Sequence, residues 1–198
     1  MIKNSNEENF QIVCGLVDVT KIDSTLVVDL KYAKKDNFLK RSVYPIEKAV
    51  LQLEVAKKLA EANDEFHKYG FTIKIWDAYR PFSVQKMMWE IMPNDDFIAN
   101  PSHGSVHNRG AAVDVTLVDK VGREMEMPSG FDDFTEKAFI NYNGATAKAI
   151  ENREFLAKIM MKHGFTRLES EWWHFYGPNA YRYPISNVKL EEFLDYKQ

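Results

Sequence analysis

The sequence has little cysteine and no long apolar run. Cys14 is the only cysteine among 198 residues, so an internal disulfide cannot form and a reducing compartment is expected. No stretch approaches the roughly 18 consecutive apolar residues that a membrane span needs. Residues 1–10 contain two acids and lack the apolar core of a secretory signal. We therefore expect a cytoplasmic protein without a membrane span, whose first ten residues are flexible.

A surplus of positive charge is also missing. The chain has 26 Lys and Arg against 29 Asp and Glu, a net charge of -3, which argues against a nucleic-acid partner. Hydrophobic residues make up 45% and charged residues 28%, as in ordinary soluble chains. The length and the lack of repeats predict a single domain over residues 1–198.

Hydrophobic spacing predicts the secondary structure. Helices are predicted over 45–66, 83–91, 145–163 and 188–196, and strands over 25–30, 71–77, 111–118, 165–167 and 171–176. Strands and helices are segregated rather than alternating, which favours a mixed α+β domain. In strand 111–118 one face is apolar and predicted to be core. The other face carries Asp114 and is small and polar, as the floor of a site would be.

Two segments combine residue types that bind metal. The segment 102–114 contains His107 and Asp114, and the segment 169–174 contains Glu171 and His174. Two histidines and one carboxylate are a common ligand set of catalytic zinc, which leaves a fourth position for water. We interpret His107, Asp114 and His174 as metal ligands and Glu171 as a general base.

The spacing of these residues constrains the backbone. Glu171 and His174 are three residues apart, so a regular strand would place them on opposite faces. We therefore predict a bulge, bend or strand end between them. The turn residues 108–110 place His107 in a loop before the strand of Asp114, and Gly110 is expected to supply a positive φ or a close backbone approach.

His103 leaves an alternative open. It lies four residues before His107, and such a pair could bind one metal ion if the segment were helical. Gly104 and the preceding Pro101-Ser102 argue against that helix. His67 and His163 precede helix-ending glycines and are expected to interact with helix C-termini.

Five motifs of the sequence occur together. They are Ser-x-His-x6-Asp over 105–114, Glu-x-x-His over 171–174, Asp77-Ala78-Tyr79-Arg80-Pro81, residues 28–38 and residues 127–132. Together they resemble one enzyme family, the D-alanyl-D-alanine dipeptidases of the zinc D,D-peptidase superfamily (peptidase family M15). The first two motifs are typical of the superfamily, and residues 28–38 and 127–132 narrow the resemblance to dipeptidases. The resemblance extends from about residue 16 to 180.

The resemblance implies a role for each matched residue. It makes His107, Asp114 and His174 the ligands of one zinc ion per chain, Glu171 the base that takes a proton from metal-activated water, and Arg80 the group that stabilises the transition state. Ser105 and Asp132 match polar residues of the substrate pocket. The implied reaction is hydrolysis of the D-Ala-D-Ala dipeptide to two D-alanines, on a small hedgehog/D,D-peptidase-like fold with a central antiparallel sheet flanked by helices.

Two other functions stay open from the sequence. The same zinc apparatus would serve a D,D-carboxypeptidase or endopeptidase acting on peptidoglycan stem peptides. The segment 36–38 could close the pocket at the amino-terminal side of a dipeptide and so distinguish the two. A zinc-holding binding module of the hedgehog type predicts loss of the base or the arginine, and both Glu171 and Arg80 are present.

Overall fold

The computed structural model describes residues 10–95 and 98–194, so the expected flexibility of residues 1–10 lies, except for Phe10, outside the described residues. Strands in this part of the chain are β1 (Leu16–Asp18), β2 (Val27–Val28), β3 (Val50–Gln52), β4 (Phe71–Asp77), β5 (Ala112–Asp119), β6 (Thr166–Leu168) and β7 (Glu171–Tyr176). The α-helices are α1 (Leu53–Lys68), α2 (Phe82–Ile91) and α3 (Ala147–Lys162). The fold class is α+β, as the sequence predicts.

The central sheet has the strand order β2-β4-β5-β7-β6 among the described residues. Pairs β4–β5, β5–β7 and β6–β7 are antiparallel, and the short edge pair β2–β4 is parallel. The predicted antiparallel sheet is therefore correct for the centre and wrong for this edge. Strands β5 and β7 pair with Asp114 directly opposite His174, so the two motifs that the sequence singles out meet inside the sheet.

Helices α1 and α3 contact each other and the central sheet. Their buried side chains, such as Leu59, Phe66 and Leu156, form the core with the apolar residues of β5. Three tryptophan rings pack against one another, since Trp76 contacts Trp172 and Trp172 contacts Trp173. Both tryptophans of β7 are buried, in accord with their predicted role as core and pocket wall.

Two predicted helices differ from the structure, one in where it begins and one in its type and length. The helix predicted from Pro45 begins at Leu53, because residues 50–52 instead pair with β1. Local signals favoured a helix start at Pro45, but burial of Val50 and Leu51 in this strand pair outweighs them. The helix predicted over 188–196 is, within the described residues, a 3₁₀ turn at Leu190–Phe193. Its apolar spacing of three residues suits either helix type.

The sequence also predicts that the chain has no membrane span. None of the helices in residues 10–95 and 98–194 combines the length and apolar character that crossing a bilayer requires.

Candidate metal and active site

A cavity of about 350 Å³ opens where β5 and β7 meet the turn before β5. Residues from five separate chain segments form its wall. Its lining includes Tyr32, Arg80, Ser105, His107, Asp114, Asp132, Glu171, Trp173, His174, Tyr176 and Tyr181. All seven residues that the sequence assigns to a site therefore border one cavity.

His107 is held by a 3₁₀ turn, Val106–Arg109. The Ser105 hydroxyl caps the turn by accepting from the His107 backbone N–H, and Asn108 Oδ1 accepts from the Ser105 N–H at 2.7 Å. Gly110 ends the turn with φ +64°, and a Cβ at this position would clash with the Leu16 side chain. The expected need for glycine is confirmed on both counts.

Asp114 and His174 approach each other because their strands are in register. His174 Nδ1 lies 2.9 Å from Asp114 Oδ1. His107 Nε2 lies 3.2 Å from His174 Nδ1 and 3.4 Å from Asp114 Oδ2. One potential ligand atom from each of the three residues lies within 4.8 Å of the others, and all three side chains are buried.

Glu171 reaches the same cluster through an irregularity in β7. Arg167 of β6 pairs with Phe175, whereas the next residue, Leu168, pairs with Glu171. Residues 172–174 therefore form extra length between two consecutive partners, which is the bulge that the spacing predicts. As a result Glu171 Oε2 lies 3.7 Å from His174 Nδ1.

The electrostatics of the cluster favour a positive charge at its centre. Burial opposes the charged form of His107, but Asp114 and Asp77 outweigh it and raise the His107 pKa. Burial also opposes ionisation of Asp114, yet His107 and His174 hold its pKa well below the ordinary value. The pKa of Glu171 is raised, chiefly by burial. A carboxyl with a raised pKa suits a group that accepts and returns a proton.

The donor set fits a zinc ion. His107 Nδ1 lies 2.6 Å from the carbonyl oxygen of Ala78, so this nitrogen carries the hydrogen and Nε2 is left with a lone pair that faces the cluster. Imidazole nitrogens and a carboxylate are typical zinc ligands. His174 Nε2 is buried without a hydrogen-bond partner among the described residues, so hydrogen bonding within the protein leaves this ring incompletely satisfied.

Arg80 lies beside the cluster, just after β4. Its backbone N–H donates to the His107 carbonyl at 3.0 Å, and Asn108 Nδ2 donates to the Arg80 carbonyl at 2.9 Å. The guanidinium donates through Nη2 to Asp77 Oδ2 at 2.7 Å. Burial works against the charge, but the Asp77 carboxylate keeps the pKa of Arg80 above its ordinary value. Arg80 therefore presents a fixed positive charge to the cavity.

Asp132 and Tyr32 form a second polar group on the wall. The Tyr32 hydroxyl donates to Asp132 at 3.0 Å. Asp132 has φ +55°, a left-handed conformation that Asp tolerates better than most residues. Burial raises the pKa of Asp132 to about 8, despite the opposing hydrogen bond from Tyr32.

Sequence reasoning missed three residues of this region. It also left open a metal-binding role for His103, which lies elsewhere. Tyr32 and Asp77 lie within quoted motifs but received no role, and Gln85, which contacts Arg80, lies outside them. Asp132, the partner of Tyr32, lies far away in the sequence. Nothing in the spacing of Asp77 or Gln85 from Arg80 marks either residue as its partner. His103 is exposed and does not border the cavity in the described structure.

Residues 13–192 match the family described as D-ala-D-ala dipeptidase, Peptidase M15. A D-alanyl-D-alanine dipeptidase of Escherichia coli is 35% identical over 179 residues, which cover 90% of this chain and 93% of the relative. A D-alanyl-D-alanine dipeptidase of Enterococcus faecium is 29% identical over 168 residues, 74% and 83% of the two chains. A solved vancomycin-resistance D,D-pentapeptidase in complex with Zn(II) is 16% identical, with a TM-score of 0.44 over 77% of this chain and 88% of that one.

Proposed function

Because this chain belongs to the D-Ala-D-Ala dipeptidase family of peptidases, we propose that it hydrolyses the D-Ala-D-Ala dipeptide to two D-alanines with one zinc ion. The supporting observation is the buried cluster of His107, Asp114 and His174, with Glu171 beside it, on the wall of one cavity. When bound there, zinc would polarise the scissile carbonyl and lower the pKa of a water molecule towards ~7.

We assign the proton transfers to Glu171. Its side chain is 28% exposed, so it borders both the cluster and the cavity. As a carboxylate it can take the proton of the attacking water, and as a carboxylic acid it can pass that proton to the leaving amine.

We assign the recognition of the substrate's charged and polar groups to Arg80, Asp132 and Ser105. Arg80 stays charged at all working pH values, and we assign to it the stabilisation of the negative oxygen of the transition state. Asp132, with Tyr32, has the hydrogen-bonding capacity to receive the substrate ammonium. Ser105 accepts a hydrogen bond from the His107 backbone, which leaves its hydroxyl hydrogen to donate to the substrate.

We assign the limit on substrate length to a loop at the Asp132 end of the cavity. Phe38 packs against Tyr32 with ring centroids 6.2 Å apart and against Phe134 at 5.2 Å. Asn37 Nδ2 donates to three backbone carbonyls, those of Lys31, Lys34 and Arg41, and so fixes the loop that carries Phe38. This loop lies beside Asp132, and we propose that it limits the residues that can precede a dipeptide there.

The test is a direct assay of both substrate classes. Purified protein that contains one zinc ion per chain is mixed with D-Ala-D-Ala and, separately, with a stem pentapeptide ending in D-Ala-D-Ala. The proposal predicts two D-alanines from each dipeptide and little release from the pentapeptide. Faster cleavage of the pentapeptide would favour the carboxypeptidase alternative, and no release from either would contradict hydrolysis. The cytoplasmic location stays a prediction, which cell fractionation can check.

A further inference from the structure

Gln85 is a fully buried polar residue of α2 that contacts Arg80. Its Oε1 accepts a hydrogen bond from Arg80 Nη1 at 2.9 Å. Its Nε2 donates to the backbone carbonyl of Ala99 at 2.6 Å. One side-chain amide therefore joins the guanidinium to the backbone of another segment, and Ala99 itself borders the cavity.

The chemistry of the three groups fixes the orientation of this amide. A guanidinium can only donate hydrogen bonds and a backbone carbonyl can only accept them. If the amide were rotated by 180°, its NH₂ group would face Arg80 and its oxygen would face the Ala99 carbonyl, which would lose both bonds. Glutamine satisfies both partners at once, whereas glutamate lacks the donor and methionine lacks both functions.

The other contacts of the Arg80 side chain do not prevent its guanidinium from rotating. Asp77 contacts Nη2, and the Tyr32 ring lies under the guanidinium with its centroid 5.1 Å from Cζ. Arg80 Nε is buried without a hydrogen-bond partner among the described residues. With Asp77 and the Tyr44 hydroxyl both on one side of the guanidinium, the group would still be free to pivot about that side. The second contact, on Nη1, sets the plane of the group.

We propose that Gln85 is a positioning residue for Arg80. Asp77 compensates the charge of the guanidinium, and Gln85 fixes its direction by anchoring it to the Ala99 carbonyl. The inference rests on the proposed function in one respect, that Arg80 acts on the transition state. Gln85 then affects kcat through Arg80, without contacting substrate or metal.

The variant that tests this is Gln85→Met, which keeps the length and volume of the side chain and removes both hydrogen bonds. A displaced guanidinium should lower kcat by about 10- to 100-fold, with KM within about twofold of wild type and zinc content unchanged. Gln85→Glu keeps an acceptor for Arg80 but loses the bond to Ala99, and should retain more activity than Gln85→Met if both fold.

The matched control is Asn152→Leu. Asn152, which lies on α3, is also a buried amide, and its Nδ2 donates to the Glu126 carbonyl at 2.8 Å. Its loss should also lower the thermal midpoint, because a backbone carbonyl loses a donated hydrogen bond in both variants. Only the Gln85 variant should change kcat.

A double-mutant cycle separates positioning from general destabilisation. In an Arg80→Ala background, Gln85→Met should lower kcat by no more than about twofold, because its target is gone. An equal fall in kcat in both backgrounds, or an unchanged kcat in the single variant, would overturn the proposal.

The crystal structure of Gln85→Met gives a readout that does not depend on activity. It should show the Arg80 guanidinium rotated about its Asp77 contact, and an unmoved guanidinium would also overturn the proposal. If the wild-type protein does not hydrolyse the dipeptide, the proposed function fails, while this structure still tests the positioning role.

Discussion

Two regions of this protein bring histidine and carboxylates together, and they differ in burial and in neighbours. At the sheet, His107, Asp114 and His174 are buried within 4.8 Å of one another. Between α1 and α3, His163 Nε2 lies 2.8 Å from Glu65 Oε2, and its Nδ1 lies 3.6 Å from Glu61 Oε2. Residue types alone do not distinguish these clusters.

The difference lies in how each cluster balances its charge. In the helix cluster, Lys162 Nζ donates to both Glu65 oxygens at 2.8 Å, and the Glu61 side chain is 50% exposed. Solvent and lysine satisfy these carboxylates, which is the usual state of a surface ion pair. In the sheet cluster, the Arg80 guanidinium is directed to Asp77. The cluster itself combines buried imidazoles with a buried carboxylate, which suits a bound metal cation.

The sharpest contrast comes from removing one histidine from each cluster. His107→Ala and His174→Ala should lose zinc during dialysis and lower kcat/KM by on the order of 10³-fold or more, because the metal supplies several kcal/mol of transition-state stabilisation. His163→Ala should keep one zinc ion per chain and kcat/KM within about twofold. Metal analysis and the dipeptide assay check both. Zinc loss in His163→Ala alone would reverse the comparison.

A carboxylate pair gives the next contrast. Glu171→Gln should retain zinc and lower kcat by about 10²–10⁴-fold, the usual contribution of a general base. Glu65→Gln removes a carboxylate that also contacts a histidine, and should leave kcat unchanged. Steady-state kinetics at matched zinc content test this pair. Near wild-type turnover in Glu171→Gln would remove the base assignment and leave the metal site in place.

Two buried arginines extend the comparison beyond the clusters. Arg80→Lys should lower kcat by about 10²–10³-fold, because lysine cannot replace the fixed guanidinium donors. Arg153 is also buried, and its Nη1 donates to the Tyr142 carbonyl at 2.7 Å away from the cavity. Arg153→Lys should lower the thermal midpoint with kcat unchanged. Equal kcat values for the two variants would contradict the role of Arg80.

The smallest expected effect is a dependence of stability on pH in metal-free protein. Burial raises the pKa of Asp132 to about 8, whereas hydrogen bonds from Arg167 and Arg153 outweigh burial and lower that of Glu154. Between pH 5.5 and 8, Asp132 is ionised in the unfolded chain but largely neutral in the folded one. The folded state thus binds the extra proton, and its stability falls as pH rises through this window.

Urea denaturation of metal-free protein at pH 5.5 and pH 8 measures this effect. Wild type should lose stability relative to Asp132→Asn as pH rises. The difference between wild type and Glu154→Gln should stay constant, because Glu154 is ionised in both states across this range. A constant difference for Asp132→Asn as well would show that the Asp132 carboxyl titrates normally.

Much of the site was predictable because it lies in local motifs. The bulge in β7 follows from two residues three apart that must share one face, and Gly110 follows from the turn before β5. The fold class follows from the order of helical and alternating segments.

What the sequence could not supply depends on tertiary contacts. Val50 and Leu51 read as part of a helix after Pro45 until their pairing with β1 is known. Gln85 looks like any polar helical residue, and only its place between Arg80 and Ala99 gives it a role. The contact between Tyr32 and Asp132 joins residues 100 positions apart, beyond the reach of any spacing argument.

In the proposed function, the sheet cluster and not the helix cluster holds the zinc ion. Anomalous X-ray scattering at the zinc edge, measured on crystals of active wild-type protein, tests it most directly. We predict one peak per chain, about 2.0–2.2 Å from ligand atoms of His107, Asp114 and His174. A peak at His163, or an active protein with no peak between β5 and β7, would contradict the account.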